Sequence, residues 1–219
     1  MFRTPGISES HLLSSCSWDG RPFPCSSLFR QVPTDSGICC AFNGESALRQ
    51  SEYSDLVREM SGSGGEEEGL RKATLGLEQG LTVRLDQHSG ETTFGTILTD
   101  VNAFKIWIGS SAEFPVLRRG ALMVEPGREH FVELSGVSVA ASEDLRDLPV
   151  EDRNCKFQDE GELEMYSRYT YTNCVFECEL KLAAKLTGCV PWFLPQVQNS
   201  TACHPWTVGN FYKAMKGQG

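Results

Sequence analysis

Hydrophobic and polar positions follow two periods along this chain. Tyr171, Cys174, Val175, Cys178, Leu182 and Leu186 recur at helical spacing and form one stripe, while Asn173, Glu177, Lys181 and Lys185 form a polar one. The pattern predicts a helix with both cysteines on one side and the polar stripe at the surface. There a Glu177–Lys181 pair would contribute ~0.3–0.5 kcal/mol. Gly188 supplies the left-handed residue after the helix, and Pro191 prevents continuation. Earlier the period is two. Leu81, Val83 and Leu85 alternate with Thr82, Arg84 and Asp86, and residues 104–108 repeat the alternation. Further strands are predicted over 38–43, 120–124 and 130–139. Turns are predicted at 34–37, 109–111 and 125–127, and a short helix begins over 26–29. An irregular cysteine loop, several antiparallel-type strands and then a disulfide-stapled helix make an α+β order.

Two stretches break these patterns. Residues 1–15 are polar and read as a frayed start. Residues 61–69, SGSGGEEEG, read as a mobile loop or linker. Glu66, Glu67 and Glu68 there read as a solvated cluster, because nothing nearby supplies the turn of a calcium loop.

Composition adds a compartment. The net charge of -9 argues against a nucleic-acid partner, since no basic patch would meet phosphates. Nine cysteines exceed what a cytosolic chain of 219 residues usually carries, and they point to an oxidising compartment. A disulfide between Cys16 and Cys25 would fix a small loop rich in turn formers. Asn199-Ser200-Thr201 is an N-glycosylation acceptor in a loop. Yet Met1 is followed by FRTPGISESHLL rather than a signal peptide, and no apolar run reaches the ~18–20 residues that span a bilayer. With an odd cysteine count, these features suggest a piece of a longer chain.

Little in the sequence suggests catalysis or a cofactor. G-x-S-x-G, P-loop and dinucleotide fingerprints are missing, and His11, His88, His130 and His204 read as surface or loop residues. Cys174, Cys178, Cys189, Cys203 and His204 contain enough donors for zinc. Structural zinc sites, however, usually draw on tight C-x-x-C pairs, whereas the first two cysteines here lie mid-helix.

The order of several short stretches is more specific. Cys16-Ser17-Trp18 and Cys25-Ser26-Ser27-Leu28-Phe29 precede Gly37-Ile38-Cys39-Cys40-Ala41-Phe42-Asn43. Residues 80–86 follow, then Ile108-Gly109-Ser110-Ser111-Ala112-Glu113-Phe114-Pro115, Val124-Glu125-Pro126-Gly127 and Arg153-Asn154-Cys155-Lys156-Phe157. Residues 169–189 and Pro191-Trp192-Phe193-Leu194-Pro195 close the series. Over roughly residues 10 to 206 this succession resembles the extracellular domain of the degenerin/epithelial sodium channel family, especially the arthropod pickpocket type of amiloride-sensitive sodium channel.

The resemblance implies an antiparallel β-rich finger, β-ball and palm portion over residues 1–150 and a helical thumb portion over 151–219. It implies a non-enzymatic subunit at the extracellular face of the plasma membrane. In the full-length channel, two membrane helices would flank this portion, and three like or unlike subunits would surround a sodium pore. Cys16 with Cys25 and Cys189 with Cys203 match local disulfides. Cys39, Cys155, Cys174 and Cys178 match positions whose partners lie outside this chain, and Cys40 has no clear counterpart. Thr187 stands where many members carry another thumb cysteine. Acid-sensing members carry two adjacent acids where this chain has Ala112 and Glu113, so one possible gating-interface acid remains, and the resemblance does not extend to paired-acid proton gating. Asp152 replaces an aromatic residue that contacts the first membrane helix in those members. The alternative is a secreted cysteine-rich binding module without channel activity.

Overall fold

The computed structural model describes residues 12–44, 48, 71–73, 76, 79–86, 103–137, 141–154 and 156–216. Residues 61–69 with Glu66, Glu67 and Glu68, as well as His11, His88 and Cys155, lie outside them, as does the expected frayed start up to residue 11. The end of that start is instead ordered into the first strand.

Strands β1 (Leu13–Trp18) and β2 (Arg21–Phe23) form a hairpin. Asp19 and Gly20 both take positive φ, the geometry that a tight two-residue hairpin turn demands. Strand β5 (Leu81–Leu85) pairs antiparallel with the other edge of β1, giving the order β2-β1-β5. Helix α1 (Cys25–Leu28) leads into the antiparallel hairpin β3 (Phe29–Thr34) and β4 (Gly37–Phe42). A small core joins these elements. Leu13, Cys16 and Leu28 are buried, with Trp18, Phe29, Cys40, Phe42 and Val83 packed against them. The Cys16–Cys25 disulfide staples β1 to α1. Asn43, just past β4, holds the remote backbone of Arg71: its Oδ1 accepts from Arg71 N at 3.0 Å, and its Nδ2 donates to Arg71 O at 2.8 Å.

Strands β6 (Phe104–Ile106) and β7 (Leu122–Val124) pair antiparallel, with a 3-10 turn at Leu117–Arg119 between them. A second 3-10 turn (Glu143–Asp147) and helix α2 (Val150–Arg153) precede helix α3 (Tyr171–Thr187). Thr170 caps α3 by accepting from Asn173 N at 3.1 Å. Gly188 ends it at φ 72, as the sequence predicts. Two-residue strands β8 (Cys189–Val190) and β9 (Thr201–Ala202) then pair in parallel, an exception to the antiparallel rule of the other described pairs. Cys189–Cys203 closes this loop. Helix α4 (Val208–Lys216) packs back on α3. The larger core lies here, built from Phe114, Val116, Tyr166, Phe176, Leu180, Leu194, Phe211 and Met215 among others. No helix among the described residues is long and apolar enough to cross a membrane.

Two expectations are corrected. Helix α3 is rotated from its predicted orientation: it buries Asn173, Phe176, Glu177, Leu180, Ala183 and Ala184. Of the predicted apolar stripe, Tyr171 is 81% exposed and Leu186 62%, and Cys178 is exposed. The reason is polar satisfaction. Phe176, Leu180 and Ala183 form a stripe of their own, and Asn173 and Glu177 beside them bind backbone groups of irregular segments that would otherwise be buried unpaired. The Glu177–Lys181 bond exists at 2.8 Å, but its carboxylate is buried. The second correction concerns the predicted strand 130–139. Residues 130–137 form no strand, and Phe131 (76%), Leu134 (68%) and Val137 (91%) are largely exposed. No described strand lies alongside to accept their backbone bonds. Residues 138–139 are outside the described set.

Candidate functional site

Among the described residues, the crossing from β6 to β7, residues 107–121, is an irregular stretch held by several side chains. It begins with a turn in which Glu113 N donates to Ser110 O at 3.1 Å. Helix α3 grips this turn through one side chain. Asn173 Oδ1 accepts from Phe114 N at 2.8 Å, and Asn173 Nδ2 donates to Ala112 O at 3.0 Å and to Arg168 O at 3.1 Å. The Phe114 ring stacks on Phe176 with centroids 4.7 Å apart and tilts against Tyr166 at 5.7 Å. Glu113, half-buried, sits between the two gripped residues at the edge of this contact.

A second grip lies five residues on. Asp35, in the turn between β3 and β4, is only 2% exposed. Its Oδ1 accepts from Leu117 N at 2.7 Å and its Oδ2 from Arg118 N at 3.2 Å. From helix α4, the Tyr212 hydroxyl donates to the Asp35 carbonyl at 2.8 Å. Three sequence-distant elements therefore meet at one aspartate. Burial pushes the Asp35 carboxyl above its ordinary value, against the opposing pull of the Leu117 and Arg118 N–H groups and the Arg118 charge. Burial, with the nearby Asp35 charge, pushes the Tyr212 phenol up as well. Arg118 and Arg119 both reach Glu179 of α3, and the Arg118 guanidinium lies over the Phe176 ring at 5.5 Å.

A third grip holds the approach to the helix. The Glu177 carboxylate accepts from Glu164 N at 3.2 Å and from Met165 N at 3.1 Å. Asn173, Glu177 and Glu179 thus fasten the flanking segments to α3. Among the described residues, the arrangement is a hydrogen-bonded junction.

The cysteines fall into separate settings. Cys16–Cys25 and Cys189–Cys203 are bonded at 2.05 and 2.03 Å. Cys39, in β4, is half-buried with Sγ 3.5 Å from the Thr34 hydroxyl, and burial pushes its thiol up. Cys174 is half-buried and packs against the larger core, and Cys178 is exposed, neither in a disulfide. Cys155 lies outside the described residues. Thr187, at the expected cysteine position, instead places its hydroxyl 2.8 Å from Ala183 O and 3.1 Å from Cys189 O. The Cys189–Cys203 bond occupies two of the five donors weighed for zinc. No group of three His, Cys, Asp or Glu residues among those described could hold a metal ion. Asn199 is exposed in a turn with φ 62. His204 is exposed and stacks on Trp206 at 4.9 Å.

Sequence reasoning singled out Glu113 but missed Asp35, Asn173, Glu177, Glu179 and Tyr212. One signal was available for Asn173, a polar residue three positions after a capping threonine. Asp35 looked like an ordinary turn residue.

Comparison with known proteins places the chain in a family. A family model described as Amiloride-sensitive sodium channel matches residues 2–214. Pickpocket protein 28 of Drosophila melanogaster is 31% identical over 210 residues, covering 85% of this chain and 34% of that protein. Sodium channel protein Nach of Drosophila virilis is 29% identical over 182 residues, covering 83% and 42%. Acid-sensing ion channel 4 of Mus musculus is 27% identical over 203 residues, covering 91% and 33%. The chain spans about a third to two fifths of the length of these relatives. With the family model matching nearly its whole length, the chain belongs to the amiloride-sensitive sodium channel family.

Proposed function

We propose that this chain is extracellular sequence from a sodium-channel subunit, with residues 1–150 contributing to finger, β-ball and palm and 151–219 to the thumb. The family match over residues 2–214 is the observation that carries this reading. The complete subunit would assemble as a homo- or heterotrimer at the plasma membrane and pass sodium when a ligand or another stimulus moves the thumb. Pore helices would lie outside this chain, which would not conduct alone, and its role would be mechanical rather than catalytic.

The junction suits that role. A thumb helix tied by Asn173 to the 112–114 turn, and a following helix tied by Tyr212 to the Asp35 turn, would carry displacement between the thumb and the β-rich portion. Glu113 would lie at the gating interface as a single acid rather than one of a pair. The exposed apolar run 130–137 suits a palm strand whose neighbours come from elsewhere in the subunit. Asn199 is presented for N-glycosylation, and Cys39, Cys155, Cys174 and Cys178 would find partners beyond this chain.

Sequencing the transcript on both sides of the reading frame tests the proposal. An apolar segment of ~20 residues is expected on each flank. Flanks without one would overturn it and favour a secreted cysteine-rich module.

A further inference from the structure

The chain has a net charge of -9, but one cleft beside Asp35 carries the opposite sign. It measures about 490 Å³, within the usual range for small-molecule sites. Lys105 of β6, Arg118 and Arg119 of the 3-10 turn, and Lys216 in the last turn of α4 line it. Two carboxylates stand near these four cations. Asp35 forms part of the lining, already bonded to two backbone N–H groups, and Glu179 is shared by Arg118 and Arg119. Among the described residues, four cations against two carboxylates leave an excess of two positive charges. Neither Lys105 nor Lys216 has an ion pair among the described residues. Arg118 Nη1 is buried without a hydrogen-bond partner.

Like charges drawn into one concavity repel each other, and a low-dielectric wall strengthens the field they project. Met123, Ala121 and the Tyr212 side chain supply apolar surface between the cationic ends. A halide would occupy little of this volume, while an ion with an organic body would use both surfaces.

We propose that the cleft binds a small organic anion bearing two or more carboxylate or phosphate groups. Lys105, Arg119 and Lys216 would meet the anionic groups, and Met123 and Tyr212 the organic body. Bound there, the ligand bridges β6 and α4 across the Asp35 junction. The proposal rests on the cleft alone and holds whether or not the complete protein conducts.

Calorimetric titration of the 219-residue chain tests it, with citrate and inorganic phosphate as probes at matched ionic strength. Saturable one-site binding of citrate is expected, weakening as salt rises. Lys105→Gln and Lys216→Gln should each weaken it at least tenfold, the scale of a lost charge-assisted contact. Inorganic phosphate binding as tightly as citrate would show that the organic body and the second anionic group contribute nothing, and would overturn the proposal. No saturable binding of either probe, or binding that both variants leave unchanged, overturns the proposal. Lys216 is exposed, so Lys216→Gln should keep the ligand-free melting temperature and can carry the test if Lys105→Gln folds poorly. The readout is binding rather than current, so failure here and failure of the channel reading are separate results.

Discussion

At the residue scale, two buried polar side chains do what an apolar residue could not. Asn173 satisfies one N–H and two carbonyls from two segments, so Asn173→Leu should cost about 3 kcal/mol, read by urea unfolding. Asp35 gives a pH signature. Its folded pKa lies above the ordinary 3.8, so just above that pH the folded state holds more of this proton than the unfolded state. Its contribution is complete below about 3.8 and is lost as pH rises through the folded value. The stability of the wild type relative to Asp35→Asn should therefore decline with rising pH across that window. A flat difference in a urea series at several pH values would contradict the burial of an ionising carboxyl.

At the element scale, helix α3 separates existence from orientation. Its periodic run and its glycine stop were legible because periodicity and C-terminal capping act within the segment, while the Thr170 cap at its start was not singled out. Its buried face was not, because that depends on which neighbours need hydrogen bonds. Leu180, fully buried, should cost 2–5 kcal/mol on truncation to alanine, roughly the range for core leucines. Leu186→Glu should stay within about 0.5 kcal/mol, although the sequence pattern placed Leu186 in the apolar stripe. Thermal or urea unfolding of the pair distinguishes the two orientations. For the loop beyond the helix, replacing Cys189 and Cys203 by alanine should remove about 3 kcal/mol, the scale for a closed loop of this size.

At the scale of the whole molecule, two cores are joined through irregular backbone. The small one surrounds the Cys16–Cys25 disulfide and the larger one surrounds α3, with Phe114 and Val116 of the 107–121 crossing part of the larger core and Asp35 binding that crossing from the β3–β4 turn. The thiols report on this layout. Cys178 is exposed while burial pushes the Cys39 thiol up, so native alkylation followed by mass spectrometry should modify Cys178 first. Charge is distributed just as unevenly. An acidic chain concentrates four cations at one cleft, which net charge could not reveal.

Local periodicity, turn chemistry and the order of short motifs were enough for the α+β order, the main helix with its glycine stop, four of the nine described strands and the family. Tertiary structure alone decided which face of α3 is buried, that 130–137 stays unpaired, and that Asp35, Asn173 and Tyr212 converge on one crossing segment. Those outcomes depend on satisfying buried backbone groups supplied by distant residues. Sequence distances there reach 177 positions, between Asp35 and Tyr212, far beyond any repeat a linear pattern can carry.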